Sequence, residues 1–199
     1  LNGAPGGQCA DLRGAELRGA DLRNAKLRNA DLQYADLRSA NLRLAALRNA
    51  DLQDADLRGA DLWGADLKGA TLTNATLDDA TLHGVDLRDA DLRGTDLRRT
   101  DLQYARLQGV KLQKAVLPNG RTYEQFLAAV PALLTAGGRP LADVATPEHW
   151  ACHNWNDCPL HAAFGAICLQ DVPAPWRATA QLFLTLFDNR LIPLSQVMP

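Results

Sequence analysis

Leucine recurs at every fifth position of this chain without a gap from Leu12 to Leu117, 22 times in register. Two residues before each leucine stands a small side chain, alanine throughout except at Val85, Thr95, Thr100 and Val110. The unit is A-[D/N/T]-L-x-x. Positions separated by two share one face of extended backbone, while the residue between them points the other way. Five residues advance about 500° around an α-helix, which would smear the leucines over every side of it. Flat strand alternation would need a period of two along the whole length. The period fits a coil that turns a corner after each short extended stretch, with leucine and alanine facing inward.

The two residues after each leucine supply the corners. Typical pairs are Arg13-Gly14, Arg23-Asn24, Arg38-Ser39 and Arg88-Asp89. Glycine tolerates positive φ, and Asn or Asp side chains bond nearby backbone, so these are turn formers.

On these residues, segment 10–119 resembles the pentapeptide-repeat family. The resemblance implies a β fold, a right-handed quadrilateral β-helix (β-solenoid) of about 22 pentapeptide repeats, four to a coil. Stacked at the ordinary strand separation, five and a half coils would make a rod about 26 Å long. The larger residues Val85, Thr95, Thr100 and Val110 fall in its last third, where local widening is expected.

With four repeats per coil, residues twenty apart stack on one face. Arg28, Arg48, Lys68 and Arg88 form one basic stripe and Arg18, Arg38 and Arg58 another. Asp31 and Asp51, and Glu16, Asp36 and Asp56, form acidic ones. One face breaks the polar rule, with Arg43, Leu44, Trp63, His83 and Tyr104 as a candidate interaction face. Aromatic anchors dominate interface energies. Singly exposed apolar residues are also normal on protein surfaces, so incidental exposure stands beside that reading.

Composition narrows the partners. The chain has 21 basic and 23 acidic residues, a formal charge of −2. Within 10–119, 17 Lys or Arg face 17 Asp or Glu. The family's best-known activity, inhibition or protection of DNA gyrase by a DNA-like rod, goes with an acidic surface in that subfamily, and this segment is neutral. No apolar run approaches the roughly 18 residues of a membrane span. Neither nucleic acid nor membrane is expected as a direct partner. The start at Leu1 leaves the compartment open: the cytoplasm is slightly favoured, with an exported location open if a leader precedes Leu1.

The register ends at Leu117-Pro118-Asn119-Gly120. Thr122 with Gln125 three residues on can cap a helix carrying Phe126, Leu127, Val130, Leu133 and Leu134, with an irregularity at Pro131. Thr146-Pro147-Glu148 resembles a second helix start, Pro159 opens a run through Phe164 and Ile167, and Pro175 opens a last helix through Phe187. The expected organisation is a lead-in at 1–9, the repeat β-helix at 10–119 and an α-helical C-terminal domain at 120–199. Helices there can close the solenoid end and can pair two subunits as a homodimer.

That last segment also holds His149, Cys152, His153, Cys158 and His161 within thirteen residues. Zinc takes such ligands in tetrahedral groups. A Cys152–Cys158 disulfide and ordinary packed residues are alternatives, and the spacing matches no finger pattern. No third orienting residue supports a Cys-His nucleophile. The expected function is a non-catalytic protein-interaction or scaffold role without cofactor. The alternatives are a topoisomerase-directed DNA mimic and a metal-binding or thiol-dependent C-terminal domain.

Overall fold

The computed structural model describes residues 9–136, 138, 163, 170 and 172–192. The chain divides into two compact units, Leu1–Tyr123 and Glu124–Pro199. In the first, parallel bridges join each residue before a leucine to its counterpart twenty residues on, from Asp11↔Asp31 to Asp96↔Val116. A spacing of twenty is four pentapeptides per turn. Each repeat contributes a single bridging residue, so among the described residues the coil is built from isolated bridges and turns, without longer strands.

Numbering each repeat from its alanine as position one, the backbone accounting explains the motif. In repeat 50–54, the Ala50 amide donates to Leu47 O at 3.0 Å and closes the corner. Asp51 N donates to Ala30 O at 2.9 Å in the preceding coil. Leu52 N and Asp54 N donate to Thr71 O and Thr73 O in the following coil, at 2.7 and 3.0 Å. The fifth amide, of Gln53, lies at the corner, and the Asp51 carboxylate accepts it at 3.1 Å. A buried or half-buried amide left unpaired costs about 1–3 kcal/mol. Aspartate before leucine is therefore the local acceptor for the one amide that stacking leaves over. Asn41 does the same for Arg43 and Asp61 for Trp63.

Leucines and alanines fill the lumen. Every repeat leucine from Leu27 to Leu117 is buried, whereas Leu12, Leu17 and Leu22 of the first coil are only half-buried. At the other end, residues 117–123 fold back over the last repeat, with Leu117 N donating to Arg121 O, Tyr123 N to Ala115 O, and an antiparallel bridge between Val116 and Thr122.

At the four larger residues the corner hydrogen bond stands at the long end of its range. The position-one amide donates to the preceding leucine carbonyl at 3.2 Å at Val85, Thr95, Thr100 and Val110, against 2.8–3.1 Å at the alanines. The two buried threonine hydroxyls are satisfied, Thr95 by Leu72 O and Thr100 by Leu97 O, both at 2.7 Å.

Helix α1 spans Tyr123–Thr135, beginning at the last residue of the first unit, and buries Phe126, Leu127, Val130, Leu133 and Leu134 of the second. Pro131 sits inside it, where it removes one amide donor. A 3-10 turn, Ala174–Trp176, leads into α2, Arg177–Asp188. Pro175 thus lies in this turn, and the α-helix begins two residues later. α2 buries Ala180, Leu182, Phe183, Leu186 and Phe187, and ends with Arg190 N bonded to Phe187 O and Leu191 N to Leu186 O. That is a Schellman closure with Arg190 at φ 58° in the left-handed position. The helix starts expected at Thr146 and Pro159 lie outside the described residues.

A candidate interaction corner on the repeat unit

Position five of every repeat from Gly14 to Lys114 adopts φ between 54° and 74°. Left-handed backbone costs an ordinary L-residue about 1–2 kcal/mol, while glycine and to a degree Asn and Asp escape it. Fifteen of these 21 positions are Gly, Asn or Asp; the exceptions are Tyr34, Ser39, Leu44, Arg99, Tyr104 and Lys114. Three exceptions are large and apolar yet lie outside the core: Tyr34 is 55% exposed, Leu44 51% and Tyr104 79%. A strained residue that the core does not need is a functional signal.

Leu44 and Tyr104 share one corner with Arg43, Trp63 and His83. The structure joins these in two groups. Arg43 Cζ lies 4.7 Å from the centroid of the Trp63 ring, and its Nη1 donates to Asp61 Oδ2 at 3.1 Å. Leu44 leans across Gly64, where a Cβ would come within 2.9 Å of Leu44 Cδ2, so the glycine gives the leucine room. One group further along, His83 meets Tyr104 edge-on, with centroids 5.0 Å apart and planes at 69°. His83 Nδ1 stands 3.4 Å from Asp101 Oδ2. Between Leu44 and Tyr104 the corner carries only Gly64 and Gly84 at position five; Leu44 covers the first, and the second has open space where a Cβ would stand.

Tyr34 lies on a different corner and was missed in the sequence analysis. Arg13 Cζ is 5.9 Å from its ring centroid. The signal was present as a tyrosine in a column otherwise suited to Gly and Asn. Reading it needed the knowledge that this column is left-handed at every repeat.

Elsewhere the surface neutralises itself rung by rung. Arginine at position four pairs with aspartate at position two of its own repeat in Asp21–Arg23, Asp36–Arg38, Asp56–Arg58, Asp86–Arg88, Asp91–Arg93 and Asp96–Arg98, at 2.5–2.7 Å. The arginine hydrogen bond holds these carboxyls below their usual range, Asp36 at about 2. Much of the stripes expected from the sequence is therefore paired charge, at Arg38, Arg48, Arg58, Lys68, Arg88, Asp36 and Asp56. A shallow recess lined by Asp78, Arg98, Arg99 and Pro118 also has its guanidinia engaged, Arg99 by Asp78 and Arg98 by Asp96.

His149, Cys152, His153, Cys158 and His161 lie outside the described residues. Among the described residues no group of His, Cys, Asp and Glu has a metal-binding arrangement. No described helix is long and apolar enough to cross a membrane.

Comparison with solved structures finds Rfr23, a pentapeptide repeat protein from the cyanobacterium Cyanothece 51142, 35% identical, covering 46% of this chain and 63% of that one, with a TM-score of 0.46. The chain thus spans under two thirds of Rfr23. A pentapeptide repeat protein of the Arabidopsis thaliana thylakoid lumen is 28% identical over 59% of this chain and 76% of its own, TM-score 0.40. Full-length QnrB1, a plasmid-mediated fluoroquinolone resistance protein, is 21% identical over 56% and 81%, TM-score 0.27. No curated protein matches significantly. The pentapeptide-repeat family model matches in eight copies over residues 8–43, 45–84 and 80–117. With a five-residue leucine register, four repeats per coil and this match over more than half its length, the chain belongs to the pentapeptide-repeat family, whose members fold as right-handed β-helices.

Proposed function

We propose that this protein is a non-catalytic interaction scaffold, and that the corner formed by Arg43, Leu44, Trp63, His83 and Tyr104 is its partner-binding surface. Members of the family are generally non-enzymatic structural or interaction proteins. The observation that carries the reading is the placement of Leu44 and Tyr104 in left-handed backbone with about half or more of their surface exposed. At Tyr104 the strain of about 1–2 kcal/mol is roughly offset by its contacts, so the ring adds little net stability and its placement points to something outside the fold. Trp63 and Arg43 beside them are the residue types that anchor interfaces.

The proposed organisation keeps the boundaries 1–9, 10–119 and 120–199, with about 22 repeats forming a four-sided coil and the helical segment serving as a cap or homodimer contact. The DNA-mimic alternative draws no support from a surface whose 17 basic and 17 acidic repeat residues are balanced, with six of the arginines paired to an aspartate of the same repeat.

Affinity capture with the intact chain tests the reading. Trp63→Ala and Leu44→Asn should each deplete the captured partner while the far-UV circular dichroism spectrum stays that of the parent. Undiminished capture by both variants would remove this corner as the binding surface.

A further inference from the structure

The repeat unit has three exposed aromatic rings, Tyr34, Trp63 and Tyr104. Two of them carry an arginine from the preceding coil, Arg13 over Tyr34 and Arg43 over Trp63. The second case is a complete arrangement, because Arg43 stacks on the ring and bonds the Asp61 carboxylate together. Ring, guanidinium and carboxylate satisfy one another: the planar cation offers its face to the π system and its N–H edge to the oxygens.

Forty residues on, at the same corner, a ring and a carboxylate recur and the guanidinium does not. Asp101 stands where Asp61 stood, Tyr104 supplies the ring, and the position of Arg43 is taken by His83. The imidazole is too short to cover the tyrosine and meets it by an edge. Its Nδ1 approaches Asp101 only to 3.4 Å. Asp21 and Asp61 on this face each have an arginine, whereas Asp101, 44% exposed, has no lysine or arginine partner among the described residues. Beside it, Gly84 leaves the space clear, since a Cβ there would touch nothing within 4 Å.

We propose that Asp101, Tyr104 and His83, flanking the open backbone at Gly84, form a receptor for an arginine side chain of a partner protein. The guest guanidinium takes the role that Arg43 plays within the chain two coils earlier. This rests on reading the corner as a protein-interaction surface, and it assigns the partner a basic residue at the contact.

The test uses the intact, isotope-labelled chain titrated with N-acetyl-arginine amide and with its neutral isostere N-acetyl-citrulline amide, followed by amide chemical shifts. The arginine probe should move the Gly84, Gln103 and Tyr104 resonances in a saturable way, with citrulline about fivefold weaker, as expected for an exposed ion pair combined with a cation–π contact. Asp101→Asn, which can still accept the Gln103 amide at its side-chain oxygen, should weaken arginine binding by about the same factor. His83→Arg, which supplies the guanidinium from within, should abolish it. Equal binding of the two probes, or no shift with arginine up to its solubility, overturns the receptor. An arginine response unchanged in both variants overturns it as well. The broader reading fails separately, by capture that is indifferent to Trp63→Ala and Leu44→Asn.

Discussion

Replacing Tyr104 by asparagine should leave the stability of this protein almost unchanged while removing a ring from its proposed binding corner. The left-handed backbone at φ 58° costs tyrosine about 1–2 kcal/mol, most of which asparagine avoids, as at Asn24, Asn29, Asn49 and Asn74. Against that gain stands the edge contact with His83, worth about 0.5 kcal/mol at this exposure. The residue is 79% exposed, so roughly 40 Å² is covered, or about 1 kcal/mol at 25 cal/mol per Å². The terms cancel to within about 0.5 kcal/mol, whereas deleting a buried aromatic costs about 3–5 kcal/mol. Urea unfolding followed by far-UV circular dichroism should show coincident midpoints for parent and Tyr104→Asn. A loss above about 1.5 kcal/mol would mean that the ring is held by contacts exceeding its strain. Tyr104 would then be a structural residue, and the argument from strain to function would fail.

Other perturbations separate the forces in the coil. Leu62→Ala empties a fully buried site and should cost about 2–5 kcal/mol, while Leu12→Ala in the half-buried first coil should cost well under half as much; equal urea midpoints for the two would contradict the burial pattern. Asp51→Ala strands the Gln53 amide and should lose about 1–2 kcal/mol, whereas Asp51→Asn retains the acceptor and should lose less than half of that, again read by urea midpoint. Asp21, Asp36, Asp56, Asp86, Asp91 and Asp96 have folded pKa values below their unfolded ones, first because arginine two residues on hydrogen-bonds the charged form. The folded state therefore binds fewer protons, and this contribution is complete above about pH 4 and lost as pH falls towards about 2. Urea midpoints should decline over that window, less steeply in high salt, and a flat profile would refute the role of these pairs.

Much of the fold was legible in the residues because its forces are local and repeated. Leucine every five residues requires a corner every five, and alanine two before it marks the same inward face. Segments Phe126–Leu134 and Ala180–Phe187 carry helical apolar spacing, and helices stand at both. The candidate corner was legible only as a list. Stacking residues twenty apart gathers Arg43, Trp63 and His83, and that arithmetic needs no coordinates. Its energetic meaning was hidden, because a tyrosine in a turn reads as ordinary until the backbone at that turn is known to be left-handed. Tyr34 was overlooked for the same reason.

The sequence by itself determined the period, the lumen residues and the balance of charge, since each follows from spacing and side-chain type. Only the tertiary structure decided what the stripes do. Coils stacked a strand spacing apart bring Arg43 over Trp63 and onto Asp61, and leave Asp101 with a histidine where its counterpart has an arginine. The physical reason is range: five residues fix a corner, but side chains twenty apart in the chain meet only when successive turns of the coil lie against each other.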